Sequence, residues 1–163
     1  MSINPSDFRR VLGHYATGVC VIAAGTEASA LAGMAVTSFT SVSLDPPLVA
    51  FFPDRKSTTW PKIAAAGRFS VNMLADDQLA VCSRFASRGE DKFAGLEHAI
   101  SDHGVPVLAG TVGTIACEIE SVAEAGDHFI VIGRVLALDA DQDRMPLMFF
   151  QGGYGTFTGH APG

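Results

Sequence analysis

Between Gly33 and Pro47 the chain reads GMAVTSFTSVSLDPP, and its positions fall into two alternating sets. Met34, Val36, Ser38, Thr40, Val42 and Leu44 are mostly apolar, whereas Ala35, Thr37, Phe39, Ser41 and Ser43 are mostly small and hydroxylated. A period of two with β-branched residues predicts one long strand with two unlike faces. Asp45-Pro46-Pro47 ends it, because prolines donate nothing to a ladder. The hydroxylated row has two readings: a solvated strand face, or a surface that a planar heterocycle approaches closely while hydroxyls and backbone groups bond its edge.

The other elements follow from the same patterns. Asn4, Pro5 and Asp7 open a first helix with Phe8, Val11, Leu12 and Tyr15 on one face and Gly18 as its stop. Val19 to Ala24 is a continuous apolar run and reads as a buried strand, as do Leu48 to Phe52 and Phe69 to Leu74. A threonine ahead of Trp60 caps a helix that holds Pro61 in its first turn and stops at Gly67. Asp76-Asp77-Gln78 opens a helix carrying Leu79, Val81, Cys82 and Phe85, and Asp91 to Gly110 reads as loop with one short element. Thr114 to Ala123 and Phe129 to Leu138 form a hairpin turned by Glu124 to His128. Leu147 to Phe150 is the last strand, before a glycine-rich stretch and a loose tail. Six or more strands with short connections predict a mainly β fold, an antiparallel barrel with peripheral helices over its openings.

Length changes the picture little: 163 residues predict one domain over 1–163 that buries on the order of 70% of its unfolded surface. Charge matters more. Only 17% of residues are charged, which suits a chain that hides further surface in a homodimer. A net charge of −6 argues against nucleic-acid binding, which rests on clustered Lys and Arg. No stretch reaches the roughly 18 apolar residues that would cross a membrane. The three cysteines form no CxxC, so they read as reduced thiols in a cytoplasmic protein.

Candidate chemistry gathers in three places. Lys56, Ser57, Thr58 and Thr59 precede a helix, where hydroxyls, free N–H groups and an ammonium hold a phosphate or simply cap the helix. His128 lies in a Gly-Asp-His turn, as a solvated residue or as one that reaches over a ligand. No GxSxG, HExxH or P-loop pattern is present, which leaves chemistry that depends on positioning, such as hydride transfer between bound cofactors.

FRRVLGHYATGVCVI, GMAVTSFTSVSLDPPLVAF, KSTTWPKI, FSVNML, DKFAG, GDHFIVIGRV and PLMFFQGGYG, in that order from Phe8 to about Phe157, resemble the flavin reductase family, the small component of two-component flavin-dependent monooxygenases. The resemblance implies a split β-barrel of FMN-binding type that dimerises, binds FMN or FAD, and reduces it with NADH or NADPH for a partner oxygenase. It implies a flavin ring bordered by Met34, Ala35, Val36, Thr37 and Ser38, with Ala50 and Phe51 at its edge through the backbone. Lys56 to Thr59 would hold the phosphate. Cys82, Ser83, Phe85 and Lys92 would form a second wall, with Lys92 as a charge partner. Tyr154 would close the site from the C-terminal side, and His128 would contact the nicotinamide as the catalytic residue. A flavin carrier without a nicotinamide site, and an enzyme like pyridoxamine phosphate oxidase, are the alternatives on the same barrel.

Overall fold

The structure is a computed structural model and describes residues 2–26, 28–89 and 91–160. The first half of the chain gives α1 (Pro5–Leu12), β1 (Thr17–Gly18), β2 (Cys20–Ala24), β3 (Ala32–Val36), β4 (Phe39–Leu44), β5 (Pro47–Phe51), α2 (Trp60–Ala66) and β6 (Arg68–Met73). The second half gives α3 (Leu79–Ala86), β7 (His98–Ile100), β8 (Pro106–Leu108), β9 (Gly113–Ala125), β10 (His128–Ala140), β11 (Leu147–Phe150) and β12 (Gly153–Thr156).

All five residues of β2 are buried because the strand feeds two cores. Cys20, Ile22 and Ala24 face a cluster with Phe51, Phe69, Val71, Trp60 and Ile63, while Val21 and Ala23 face Leu74, Cys82, Phe85 and Leu147. A strand covered on both sides shows no alternation. It is an inner strand of a seven-stranded antiparallel sheet with the order β3-β2-β6-β9-β10-β5-β4.

Every strand of that sheet sends side chains into the cluster around Phe51 and Phe69, so the sheet curls around it, and α2 covers an opening with Trp60 and Ile63. The two edge strands, β3 and β4, are joined by Thr37 and Ser38 alone. Three Cα steps of about 3.8 Å keep the edges within about 11 Å of each other, yet β3 and β4 share no ladder. The barrel is therefore split at this point. The single long strand expected from Gly33 to Pro47 is in fact two strands on opposite edges, with the break at Thr37-Ser38.

Other expectations shift as well. Asn4 caps α1 by accepting from the Ser6 N–H at 2.9 Å, but the helix ends at Gly13, and Gly18 lies in β1. The apolar face of α1 is uncovered in the chain itself, with Phe8 56% exposed, as is Tyr15 just beyond the helix at 75%. The segment from Asp91 to Gly110 holds a two-stranded hairpin, β7 with β8, and the glycine-rich stretch after β11 returns along it as β12. The long hairpin of β9 and β10 turns on Gly126-Asp127, a tighter connection than the five residues expected, with Gly126 at φ +62°. Among the described residues no helix is long and apolar enough to cross a membrane.

Cys20, Cys82 and Cys117 are unpaired and buried. Burial pushes Cys20 and Cys117 up to about 12 from an ordinary 9.0. Above about pH 9 the unfolded chain releases two protons that the folded chain keeps, so stability is complete below pH 9 and declines as pH rises toward 12. The slope is on the order of 1.4 kcal/mol per pH unit for each thiol. Urea unfolding at pH 8 and pH 10 checks this, with Cys20→Ala/Cys117→Ala as the comparison. Equal pH dependence in the two proteins would contradict it. With all three thiols free and buried, reducing agent is expected to change neither oligomeric state nor melting temperature, and a covalent dimer on a non-reducing gel would contradict this.

Candidate functional site

The split between β3 and β4 leaves a groove of about 900 Å3. Its floor is β3 and the linker, Met34 to Ser38. Ser38 donates from Oγ to the Phe52 carbonyl at 3.4 Å and so ties the linker to the chain leaving β5. One wall is Phe52 to Asp54 with Lys56 to Thr59; the other is Phe85 to Gly89 with Lys92. His128, at the start of β10, stands at the rim.

Each wall is held by its own contacts. Gly33 lets α3 close on β3, since a Cβ there would lie 2.5 Å from the Phe85 ring. Lys92 Nζ donates to the carbonyls of Phe85 (3.1 Å) and Gly33 (3.5 Å), clamping the end of α3 to the same strand. Burial, and secondly the Lys62 charge, hold Lys92 below its ordinary value. On the opposite side, the Asp54 carboxylate accepts from the Lys56 N–H at 2.7 Å. Ser57 Oγ accepts from the N–H groups of Thr59 (3.2 Å) and Trp60 (3.1 Å). The cap expected from a threonine just before Trp60 is thus supplied by Ser57, because Thr59 already has helical backbone angles and makes no side-chain cap bond.

The turn bearing His128 is bound to this second wall. Arg55 N–H donates to the Asp127 carbonyl and Phe129 N–H to the Pro53 carbonyl, both at 2.9 Å. The Arg55 guanidinium adds an ion pair to Glu124 at 3.3 Å. His128 Nδ1 lies 2.7 Å from Asp127 Oδ1, and this bond holds the Asp127 carboxyl below the usual carboxylate range. With Nδ1 so engaged, Nε2 is left for a ligand.

Of the residues singled out in the sequence, the groove unites Met34 to Ser38, Lys56 to Thr59, Phe85, Lys92 and His128. It does not receive the others. Ala50 and Phe51 are buried, with Phe51 packed edge-on against Trp60 and Phe69, and the groove is reached one residue later by Phe52. Cys82 faces the second core, 3.7 Å from the Tyr154 hydroxyl, and Ser83 is exposed on α3 away from the groove. Tyr154 packs on Phe149. The sequence reading missed Pro53, Asp54 and the Ala86-Ser87-Arg88-Gly89 turn. Arg88 could have been found, since Lys56, Arg88 and Lys92 line one groove in a chain of net charge −6.

Among the described residues no three His, Cys, Asp or Glu side chains are grouped as a metal site. The groove offers instead a strand-and-linker floor, Lys56 with three hydroxyl side chains on one wall, Arg88 and Lys92 on the other, and one histidine at the rim. In residue chemistry those features fit a flavin mononucleotide unit, with a strand floor for a ring and a lysine and hydroxyls for a phosphate.

The family model described as "Flavin reductase like domain" matches residues 12–158. The chain is 56% identical over 156 residues to a flavin reductase of Pseudomonas putida, covering 96% of this chain and 92% of that one. Among solved structures it resembles nitrilotriacetate monooxygenase component B from Mycobacterium thermoresistibile, with TM-score 0.91, 42% identity, and 97% and 90% of the two chains covered. It also resembles the NADH:FAD oxidoreductase SgcE6 of Streptomyces globisporus in complex with NAD and FAD fragments, with TM-score 0.91, 31% identity and 99% of each chain covered. The chain belongs to the flavin reductase-like domain family, on the split β-barrel of that family.

Proposed function

We propose that the protein is an NAD(P)H:flavin oxidoreductase that reduces FMN or FAD and supplies the reduced flavin to a partner oxygenase. The net reaction is NAD(P)H, a proton and oxidised flavin giving NAD(P)⁺ and reduced flavin. The observation that carries this reading is the meeting of Met34 to Ser38, Lys56 to Thr59 and His128 around one groove. Flavin and nicotinamide supply the hydride chemistry themselves.

The chain's own residues bind and orient. Met34 to Ser38 present the floor, and Lys56, Ser57, Thr58 and Thr59 offer charge-assisted hydrogen bonds to a phosphate. Backbone N–H groups near Thr37 and Phe52, which line the groove, would stabilise the negative charge that a bound ring gathers on reduction. His128 would hydrogen-bond the carboxamide of a bound nicotinamide and so orient the hydride donor over the flavin. The protein acts as a single cytoplasmic domain and as a homodimer. The exposed apolar residues Phe8, Val11 and Leu12 of α1, with Tyr15 just beyond it, support that pairing.

Purified protein mixed with NADH or NADPH and either flavin tests the assignment. Loss of nicotinamide absorbance that depends on both flavin and protein is the expected result. A flavin carrier would bind flavin and leave the nicotinamide untouched.

A further inference from the structure

The imidazole of His128 is held in one protonation form by the residue before it. His128 Nδ1 lies 2.7 Å from Asp127 Oδ1, and a contact that short between a ring nitrogen and a carboxylate needs a hydrogen between them. The bond from His128 first, and more weakly the charge of Lys56, hold the Asp127 carboxyl below the usual carboxylate range. An ionised carboxylate only accepts, so the hydrogen belongs to Nδ1. A neutral imidazole carries one N–H, and with that hydrogen on Nδ1 the Nε2 atom is a bare acceptor.

The backbone keeps the pair in place although the Asp127 side chain is 88% exposed. Arg55 N–H donates to the Asp127 carbonyl and Phe129 N–H to the Pro53 carbonyl, each at 2.9 Å, so the chain is pinned on both sides of His128. Phe129 in turn packs on Trp60 with ring centroids 5.9 Å apart and lies under the Arg55 guanidinium at 5.8 Å. The same guanidinium reaches the Gly126 carbonyl at 3.5 Å and holds the tip of the turn. An exposed ion pair contributes little to stability, but the choice between two forms of one ring needs only a small bias.

A carboxamide has an oxygen that accepts and an amino group that donates. A bare Nε2 bonds the amino group and offers nothing to the oxygen. A site built to bond a substrate N–H leaves its own acceptor unpaired when that group is missing, and so rejects analogues without it. We propose that Asp127 is a positioning residue: it keeps the hydrogen of His128 on Nδ1, and the bare Nε2 selects nicotinamide donors by the amino group of their carboxamide. The proposal rests on the reading of the groove as the place where a nicotinamide is held.

Long-range nitrogen–proton correlation NMR of the isotopically labelled protein at pH 8, without flavin or nicotinamide, reads the ring directly, and the spectrum of His128→Ala identifies its signals. The expected result is hydrogen on Nδ1 in the unmodified protein and on Nε2, the form a free histidine side chain favours, in Asp127→Ala. Hydrogen on Nε2 or on both nitrogens in the unmodified protein would overturn the proposal, as would an Asp127→Ala ring that keeps it on Nδ1. The second arm compares NADH with its acetylpyridine analogue, in which a methyl group replaces the amino group. Intrinsic differences between the two donors cancel when each preference is taken relative to His128→Ala. The unmodified enzyme is expected to favour NADH in kcat/KM by about tenfold more than His128→Ala does, the size of one hydrogen bond. Asp127→Ala is expected to lose most of that excess with flavin affinity unchanged. An excess absent from the unmodified enzyme, or kept in full by Asp127→Ala, would overturn the proposal. The reductase reading fails separately, if neither donor is oxidised, and the ring spectra then still decide which nitrogen Asp127 leaves bare.

Discussion

His128→Ala is expected to bind flavin almost normally, to show a raised KM for NADH, and to lose on the order of 10–100-fold in kcat/KM, the effect of one or two hydrogen bonds to the donor. Flavin affinity survives because the floor and the phosphate side of the groove contain none of this side chain. The turn itself also survives. Backbone bonds from Arg55 to Asp127 and from Phe129 to Pro53 hold it, and they do not involve the imidazole. Removal of the ring deletes only the group that orients the nicotinamide. Steady-state rates over a range of NADH concentrations at saturating flavin decide the matter, and constants equal to those of the unmodified enzyme would make His128 a solvated turn residue.

The second large effect is at the phosphate end. Replacement of Ser57, Thr58 and Thr59 together by alanine is expected to weaken FMN binding at least tenfold, since each charge-assisted bond contributes about 1.5–3 kcal/mol at most. Ser57 has a second task, because its Oγ accepts from two N–H groups at the start of α2. Losing such a cap costs about 1 kcal/mol of stability. Thr58→Ala/Thr59→Ala leaves the cap in place and is expected to show part of the affinity loss at an unchanged melting temperature. Riboflavin, which lacks the phosphate, should bind all three proteins alike. If both variants bind FMN as tightly as the unmodified protein, the triplet is a helix cap and nothing more.

Much of this architecture is legible in the residues. The unbroken apolar run of β2 announces a strand covered on both faces, and Gly67, left-handed at φ +73°, marks the end of α2. The hairpin of β9 and β10 is visible as two alternating stretches about Gly126-Asp127. The split was only faintly legible. Thr37 and Ser38 put two polar residues in a row between Val36 and Phe39, a one-residue slip of the alternation, but no glycine or proline marks a turn there, and only the tertiary curl of the sheet sends β3 and β4 to opposite edges. Nor does an amphipathic pattern tell what will cover it, so the face of α1 was readable while its exposure was not.

For the site, the clusters of like chemistry were readable and the exact residues at their margins were not. Hydroxyls beside Lys56 and the Gly-Asp-His turn stand out as residue types, and they meet in one groove. Ala50 and Phe51 gave way to Phe52 and Pro53 because a strand's inward side chains fill the core and the backbone becomes available only past its end. The groove meets the last turn of α3 and the loop after it, not the middle of the helix, which leaves Cys82 and Ser83 outside. Which turn of a helix borders a cavity depends on how the helix lies across the sheet, and helical periodicity carries no record of that.

The most direct test is a crystal structure of the protein with a flavin and NAD⁺ bound. The expected arrangement has the flavin ring on Met34 to Ser38, its phosphate at Lys56 to Thr59, and the nicotinamide stacked on the ring within reach of His128 Nε2. A flavin bound with its ring away from the β3–β4 split, or with its phosphate on another segment, would contradict the assignment of this groove.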